Sequence, residues 1–199
     1  MKNKIKLPNK IVIASFNKGK LVEIKQLFKN TKVNFIAVSA FTNIAPEENG
    51  KTFTENALIK ARSANKLSGL ASIADDSGLC INALNGEPGI FSSRWAGKNN
   101  NFSEAINIIE KKLENEENKT AYFICALALV LNTNQEFTFI GKIHGSLVFP
   151  PKGKRGFGYD PIFLPNKQIL TFGQMNPEKK DLISHRFEAY KKMKEVFLV

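Results

Sequence analysis

The stretch Gly69–Leu79, "GLASIADDSGL", sets an apolar run directly against two neighbouring carboxylates. "LASIA" reads as a buried strand, with Asp75 and Asp76 at its C-terminal end and Gly78 as the turn beyond. Like charges side by side are a local cost unless a cation stands near them. In open α/β folds, ligands gather at the C-terminal ends of strands. The stretch therefore predicts both a sheet and a polar site where one of its strands ends.

The flanking segments agree with an α/β chain. Upstream, "TFTENALIKARSANKLSG" carries a capping box, with Thr52 as N-cap and Glu55 three residues on, and Gly69 suits the helix end. "KIVIASF" (Lys10–Phe16) and "KVNFIAV" read as strands. Between them, Leu21, Ile24, Leu27 and Phe28 recur at helical spacing. Downstream, "GLCINAL" alternates and "FSEAINIIEKKLEN" is an amphipathic helix. "TAYFICALALVLN" and "EFTFIGKIHGSLVF" flank "TNQ" as a hairpin of long strands. "PPKGKRGFGYDP" is a loop, and "SHRFEAYKKMKEVFLV" closes the chain as a helix with Ser184 as N-cap. The order is mixed α/β, in a single domain of residues 1–199 without an internal repeat.

Composition narrows the function classes. A hydrophobic share of 43% and a charged share of 24% are those of a globular protein. No apolar run reaches the roughly 20 residues that span a bilayer, and "MKNKIKLPNK" lacks the apolar core of a signal peptide. Cys80 and Cys125 lie far apart in apolar segments, as buried thiols of a reducing cytoplasm do. The net charge of +11 invites a nucleic-acid reading. The first 32 residues hold nine lysines against Glu23. Elsewhere acids interrupt the bases, and no aromatic-basic repeat accompanies them. A small polyanion fits the same charge.

Polar clusters then pick out candidate chemistry. Ser15-Phe16-Asn17-Lys18-Gly19-Lys20 spans a strand end, a turn and a helix start, where backbone N–H groups and a lysine attract anions. Asn17 has a plain alternative as an N-cap. Glu47 and Glu48 lie in a loop ahead of Glu55, Asn56 and Lys60; Asn56 and Lys60 share a helix face, and Glu55 is also the capping-box acid. Asp75 and Asp76 offer the hard oxygens that Mg²⁺ prefers, with the Ser77 hydroxyl beside them. In "GFGYDP", Phe157 between glycines is a stacking surface for a flat base, and Asp160 accepts hydrogen bonds. His185 and Arg186 open the last helix, where an arginine opposes the helix dipole and hints at a ligand.

Taken together, "ASFNKGKLVEI", "PEENGKTFTENALIKA", "ADDSGLCINALNGEPGIFSSRWAG", "GFGYDPIF" and "EKKDLISHR" resemble the nonstandard purine nucleoside triphosphate pyrophosphatases, the inosine/xanthosine triphosphate pyrophosphatases. They stand in that family's order from near residue 11 to residue 186. The resemblance implies an elongated α/β fold: a long twisted mixed sheet with flanking helices, in two lobes around a nucleotide cleft, and a homodimer. It implies Mg²⁺-dependent hydrolysis of ITP, dITP or XTP to the monophosphate and pyrophosphate. By position it makes Asp76 the proton acceptor and a metal ligand, with Glu47 the acidic-loop ligand. Ser15, Phe16, Asn17, Lys18, Gly19 and Lys20 bind phosphate, and Lys60 and Ser77 face the substrate. Phe157, Gly158, Tyr159, Asp160, Lys180, His185 and Arg186 hold the nucleotide, with the last pair reading the base. Trp95, Phe16 and "FGQMNPEKK" depart from the family pattern without removing a residue of the chemistry.

Hydrolysis between the α and β phosphates needs a water, a base and charge neutralisation on the leaving pyrophosphate, which carboxylates, a metal and Lys20, Lys60 and Lys180 supply. A donor at His185 or Arg186 would accept a 6-keto purine and meet a 6-amino group badly, at roughly 1–3 kcal/mol per unsatisfied group. The rival readings are a pyrophosphatase for other modified nucleotides and a nucleic-acid binder using the lysine-rich N-terminus.

Overall fold

The computed structural model describes residues 4–97, 101–132 and 135–198. In chain order its elements are β1 (Ile5–Lys6), β2 (Lys10–Ile13), α1 (Lys18–Leu27), β3 (Asn34–Ala37), α2 (Phe53–Ser68) and β4 (Ser72–Ile81). There follow α3 (Ser92–Trp95), α4 (Phe102–Lys112), β5 (Thr120–Asn132), β6 (Gln135–Leu147), β7 (Phe163–Pro165), α5 (Pro177–Asp181), α6 (His185–Val196) and β8 (Phe197–Leu198). Six strands form a sheet in the order β3-β2-β4-β5-β6-β7. β2 runs parallel to β3 and β4, while β6 and β7 are antiparallel, so the sheet is mixed, as expected. The chain divides into two compact units: residues 1–76, 125–141 and 186–199, and residues 77–124 and 142–185.

In the first unit the pleat sorts side chains to two faces. Ile11, Ile13, Ile73, Cys125, Leu127 and Leu129 pack with Ile24 and Phe28 from α1 and its C-cap, and with Ala189 and Met193 of α6. Val12, Ala74, Ala126, Ala128 and Val130 pack instead with Ala57, Ala61 and Ala64 of α2. That row of alanines lets α2 lie close to the strands. The Thr52–Glu55 capping box and the left-handed Gly69 C-cap bound α2 as the sequence predicts. In the second unit, Ile106, Ile109 and Leu113 on and just beyond α4 join Leu79, Ile81, Phe123, Phe163 and Phe172 in a separate core.

Three sequence expectations need correcting. β4 does not stop at Ala74 but runs on to Ile81, so Asp75 and Asp76 are mid-strand and Gly78 is a strand residue. The strand carries both acids because alternation sends them to opposite faces, where each finds its own cations. The closing helix ends at Val196. Phe197 and Leu198 pair in parallel with Ile5 and Lys6, and Phe197 is wholly buried against Phe137 and Phe139. Lys4 Nζ also donates to the Lys194 carbonyl at 2.7 Å, tying that lysine to the end of the closing helix. Finally, Lys18 and Gly19 are the first residues of α1, not a turn ahead of it. Of the expected "TNQ" hairpin turn, Thr133 and Asn134 lie outside the described residues.

Candidate functional site

The acids of β4 organise the first unit's polar centre. Asp75 points to the α1–α6 face. Its Oδ2 accepts from Arg186 Nη2 at 2.7 Å and Nε at 3.3 Å, and Lys20 Nζ stands 3.3 Å away. Arg186 Nη1 donates to the Glu23 carboxylate. Asp75, Arg186 and Glu23 are all buried. Burial alone would raise the Asp75 pKa, but Arg186, Lys20 and Lys60 outweigh it and hold the carboxyl far below the usual range. Burial likewise works against the Arg186 charge, and Asp75 and Glu23 more than restore it. The arginine that opposes the helix dipole thus has its counter-charge inside the protein. Its guanidinium donates to two carboxylates at once, those of Asp75 and Glu23.

Lys20 owes its placement to the α1 cap. Asn17 Oδ1 accepts from the Lys20 N–H at 3.0 Å, and Ser15 Oγ accepts from the Asn17 N–H at 3.2 Å. The N-cap reading of Asn17 is therefore correct, and capping positions Lys20 over Asp75. Phe16 is exposed beside this turn. Glu23 is not among the candidate residues of the sequence, although it is the one acid among the nine lysines of the first 32 residues and lies one helical turn from Lys20.

Asp76 points to the α2 face. Lys60 Nζ donates to its Oδ1 at 2.7 Å and stands 3.2 Å from Glu48. Burial pushes the Asp76 pKa up, with Lys60 and Lys20 pulling against it. Burial would lower the Lys60 pKa, but Asp76, Asp75 and Glu48 raise it overall. Glu55 accepts from the Lys51 and Thr52 N–H groups, as the capping box requires. Glu47 is exposed on the same loop as Glu48. Among the described residues, no three His, Cys, Asp or Glu side chains converge as a metal cage. Asp76 Oδ2 is nevertheless buried with no hydrogen-bond partner among the described residues. A hard cation that takes one or two carboxylates, and completes its shell from phosphates and water, fits this donor set.

The second unit holds another buried ion pair. Lys180 Nζ donates to Asp160 Oδ2 at 2.5 Å and lies over the rings of Phe157 and Phe172. The same Asp160 oxygen accepts from the Phe157 N–H at 2.8 Å. Gly156 and Gly158 adopt left-handed backbone on either side of Phe157. Phe157 itself is partly exposed, as a stacking surface requires. Tyr159 is buried, its ring edge-on to Phe102 and its hydroxyl donating to the Ser92 carbonyl at 2.8 Å. His185 is buried with its ring stacked on Phe123, and Ser77 is half-buried on β4.

Residues 11–196 match the Ham1 family. A dITP/XTP pyrophosphatase of Caulobacter vibrioides is 45% identical over 187 residues, covering 93% of this chain and 96% of the relative. The Coxiella burnetii dITP/XTP pyrophosphatase is 43% identical over 197 residues, covering 95% and 98%. The structure of a HAM1 protein from Coxiella burnetii superposes with a TM-score of 0.86 at 42% identity, covering 95% of this chain and 98% of that one. The Staphylococcus aureus Ham1 protein gives 0.83 at 38% identity, covering 94% and 96%. With buried Asp75 and Asp76 each held by its own lysine, and a match running from the first long strand to the last helix, the chain belongs to the Ham1 family.

Proposed function

We propose that this protein hydrolyses nonstandard purine nucleoside triphosphates, with ITP, dITP and XTP as substrates, to the monophosphate and pyrophosphate. The observation that carries the reading is Asp76: a buried carboxylate with Oδ1 fixed by Lys60 and Oδ2 unengaged among the described residues, in a chain whose relatives are named dITP/XTP pyrophosphatases. Asp76 Oδ2 orients a water and accepts its proton, a role favoured by the upward push that burial gives its pKa. The water oxygen bonds to the α-phosphorus, the α–β anhydride bond breaks, and pyrophosphate leaves with the electron pair. Lys20 and Lys60 offset the polyphosphate charge. Mg²⁺ held by Asp76 and by Glu47 or Glu48 would supply Lewis acidity to the phosphate oxygens.

Phe157, Gly158, Asp160, Lys180 and His185 contact the nucleotide, with Phe157 stacking on the base and His185 donating to its 6-keto oxygen. Arg186 fixes Asp75 and with it Lys20, and is the second residue, beside His185, of the pair that reads the base. Ser15, Phe16, Asn17, Lys18, Gly19 and Ser77 complete the contacts, and Tyr159 supports the Phe157 loop. No helix among the described residues is long and apolar enough to cross a membrane. A homodimer in the cytoplasm belongs to the same reading. The test is pyrophosphate release from ITP, XTP, dITP, GTP and ATP, with and without Mg²⁺. Stoichiometric release from ITP, dITP or XTP, dependent on the metal and weak with ATP, is expected. Equal rates on ATP, or none on any 6-keto purine, would sink the reading.

A further inference from the structure

Asn56 is a polar side chain that the assignments above leave unused. It is wholly buried on α2. Its Oδ1 accepts from the Gly50 N–H at 2.9 Å, which fixes the amide the other way round: Nδ2 must be the remaining end. That Nδ2 has no hydrogen-bond partner among the described residues. A buried amide donor left unmatched costs roughly 1–3 kcal/mol, so its retention calls for an explanation.

The surroundings supply one. Asn56 lies one helical turn before Lys60, on the same face. Helical side chains lean back toward the helix N-terminus, so the Lys60 chain runs over the turn that carries Asn56. The Lys60 ammonium ends between Asp76 and Glu48, and Glu48 is two residues from Gly50, the partner of Asn56. Gly50 is held so near α2 that a Cβ there would stand 2.6 Å from Asn56 Oδ1. The loop is thus tied to α2 twice, by Gly50 to the Asn56 amide and by Glu48 to the Lys60 ammonium. Two donors of this kind, one charged and one neutral, make a site for an anionic oxygen.

We infer that Asn56 is a substrate-binding residue whose Nδ2 donates to a phosphoryl oxygen of the polyphosphate, beside Lys60. The inference rests on the proposed triphosphate substrate but concerns the phosphates alone, whatever the base. Asn56 therefore contributes to binding all triphosphates alike and leaves base selectivity untouched.

The test compares Asn56→Ala with Asn56→Asp, using tripolyphosphate with Mg²⁺ in calorimetry and kcat/KM on ITP and XTP. If the amide only pins Gly50, Asp keeps the acceptor and binds better than Ala. If the amide donates to phosphate, Asp sets a negative charge against the ligand and binds worse than Ala. The expected order for tripolyphosphate affinity is wild type, then Ala about tenfold weaker, then Asp about 100-fold weaker. The ITP-to-XTP ratio of kcat/KM should stay unchanged. Asp equal to or better than Ala, or a wild type that does not bind tripolyphosphate, overturns the inference. Tripolyphosphate binding needs no base and no hydrolysis, so a wild type that binds it in the expected order without cleaving ITP or XTP overturns the proposed function and not this inference. If Asn56→Asp does not fold, Ala at wild-type affinity overturns it and a tenfold loss with ITP-to-XTP ratio unchanged supports it.

Discussion

Asp75 Oδ2 accepts two hydrogen bonds from Arg186, at 2.7 and 3.3 Å, across 111 residues of sequence. Both side chains are closed to solvent, and Lys20 stands against the same oxygen. Removing one partner of such a pair strands a buried charge, which costs about 3–5 kcal/mol. Asp75→Asn should therefore lower the free energy of unfolding measured in urea by that amount, and Arg186→Lys should also destabilise, because an ammonium cannot reproduce the guanidinium fork that meets both Asp75 and Glu23. The double substitution Asp75→Leu with Arg186→Met should lose less than the sum of the singles. Additive losses would show that the two side chains do not depend on each other.

Asp76 is expected to behave oppositely, with a large effect on rate and a small one on stability. Asp76→Asn keeps the shape, and Lys60 retains Glu48 at 3.2 Å as a counter-charge. Loss of a proton acceptor costs about 10²–10⁴-fold, so kcat on ITP should fall by at least about 10²-fold while the melting temperature moves by a few degrees. Stopped assays of pyrophosphate release, read beside a thermal melt, decide it. Wild-type turnover by Asp76→Asn removes Asp76 from the chemistry.

Much of this centre is legible in the sequence because local rules set it. The Thr52–Glu55 capping box, the Asn17 cap and the Asn56–Lys60 face follow from spacing alone, and all are present. What spacing does not carry is which long-range partner answers a charge. The mid-strand acids look like a strand end because isolated carboxylates disfavour strands. Only the fold, by bringing Arg186 to Asp75 and Lys60 to Asp76, makes the strand continue. Glu23 stands out in the sequence as a lone acid, but its role does not, since its partner Arg186 is far along the chain. The β1–β8 pairing escaped because two-residue strands leave no periodicity.

Gly156 is expected to tolerate no side chain. Its φ of 73° lies in the left-handed region, and a Cβ would collide with Asp160 Oδ2, the oxygen that also holds Lys180 and the Phe157 N–H. Left-handed backbone alone costs a residue with a Cβ roughly 1–2 kcal/mol, and displacing Asp160 would add to it. Gly156→Ala should lower stability by more than that backbone cost and raise the KM for ITP, since the Phe157 loop shifts with Asp160. An unchanged KM would separate this loop from nucleotide binding.

Alkaline pH should destabilise the protein through its buried acids that stay protonated. Burial raises the Cys125 thiol from 9.0 to about 12, with the Asp75 charge adding to the effect, and burial raises the Tyr190 hydroxyl from 10.0 to about 12. In both, the unfolded chain loses its proton first. The folded state therefore binds more protons between the two pKa values, and stability falls as pH rises through that window. For Cys125 the window runs from pH 9 to 12, and three units at 1.36 kcal/mol each set a ceiling of about 4 kcal/mol. Urea midpoints should decline steeply over the first half of that range. Cys125→Ala should flatten the decline while leaving the slope near neutral pH unaltered. In the native protein at pH 8, Cys125 should also resist a thiol-labelling reagent until urea unfolds the chain. Rapid labelling of Cys125 in the folded state, or a pH slope indifferent to its removal, would contradict the buried, neutral thiol beside Asp75.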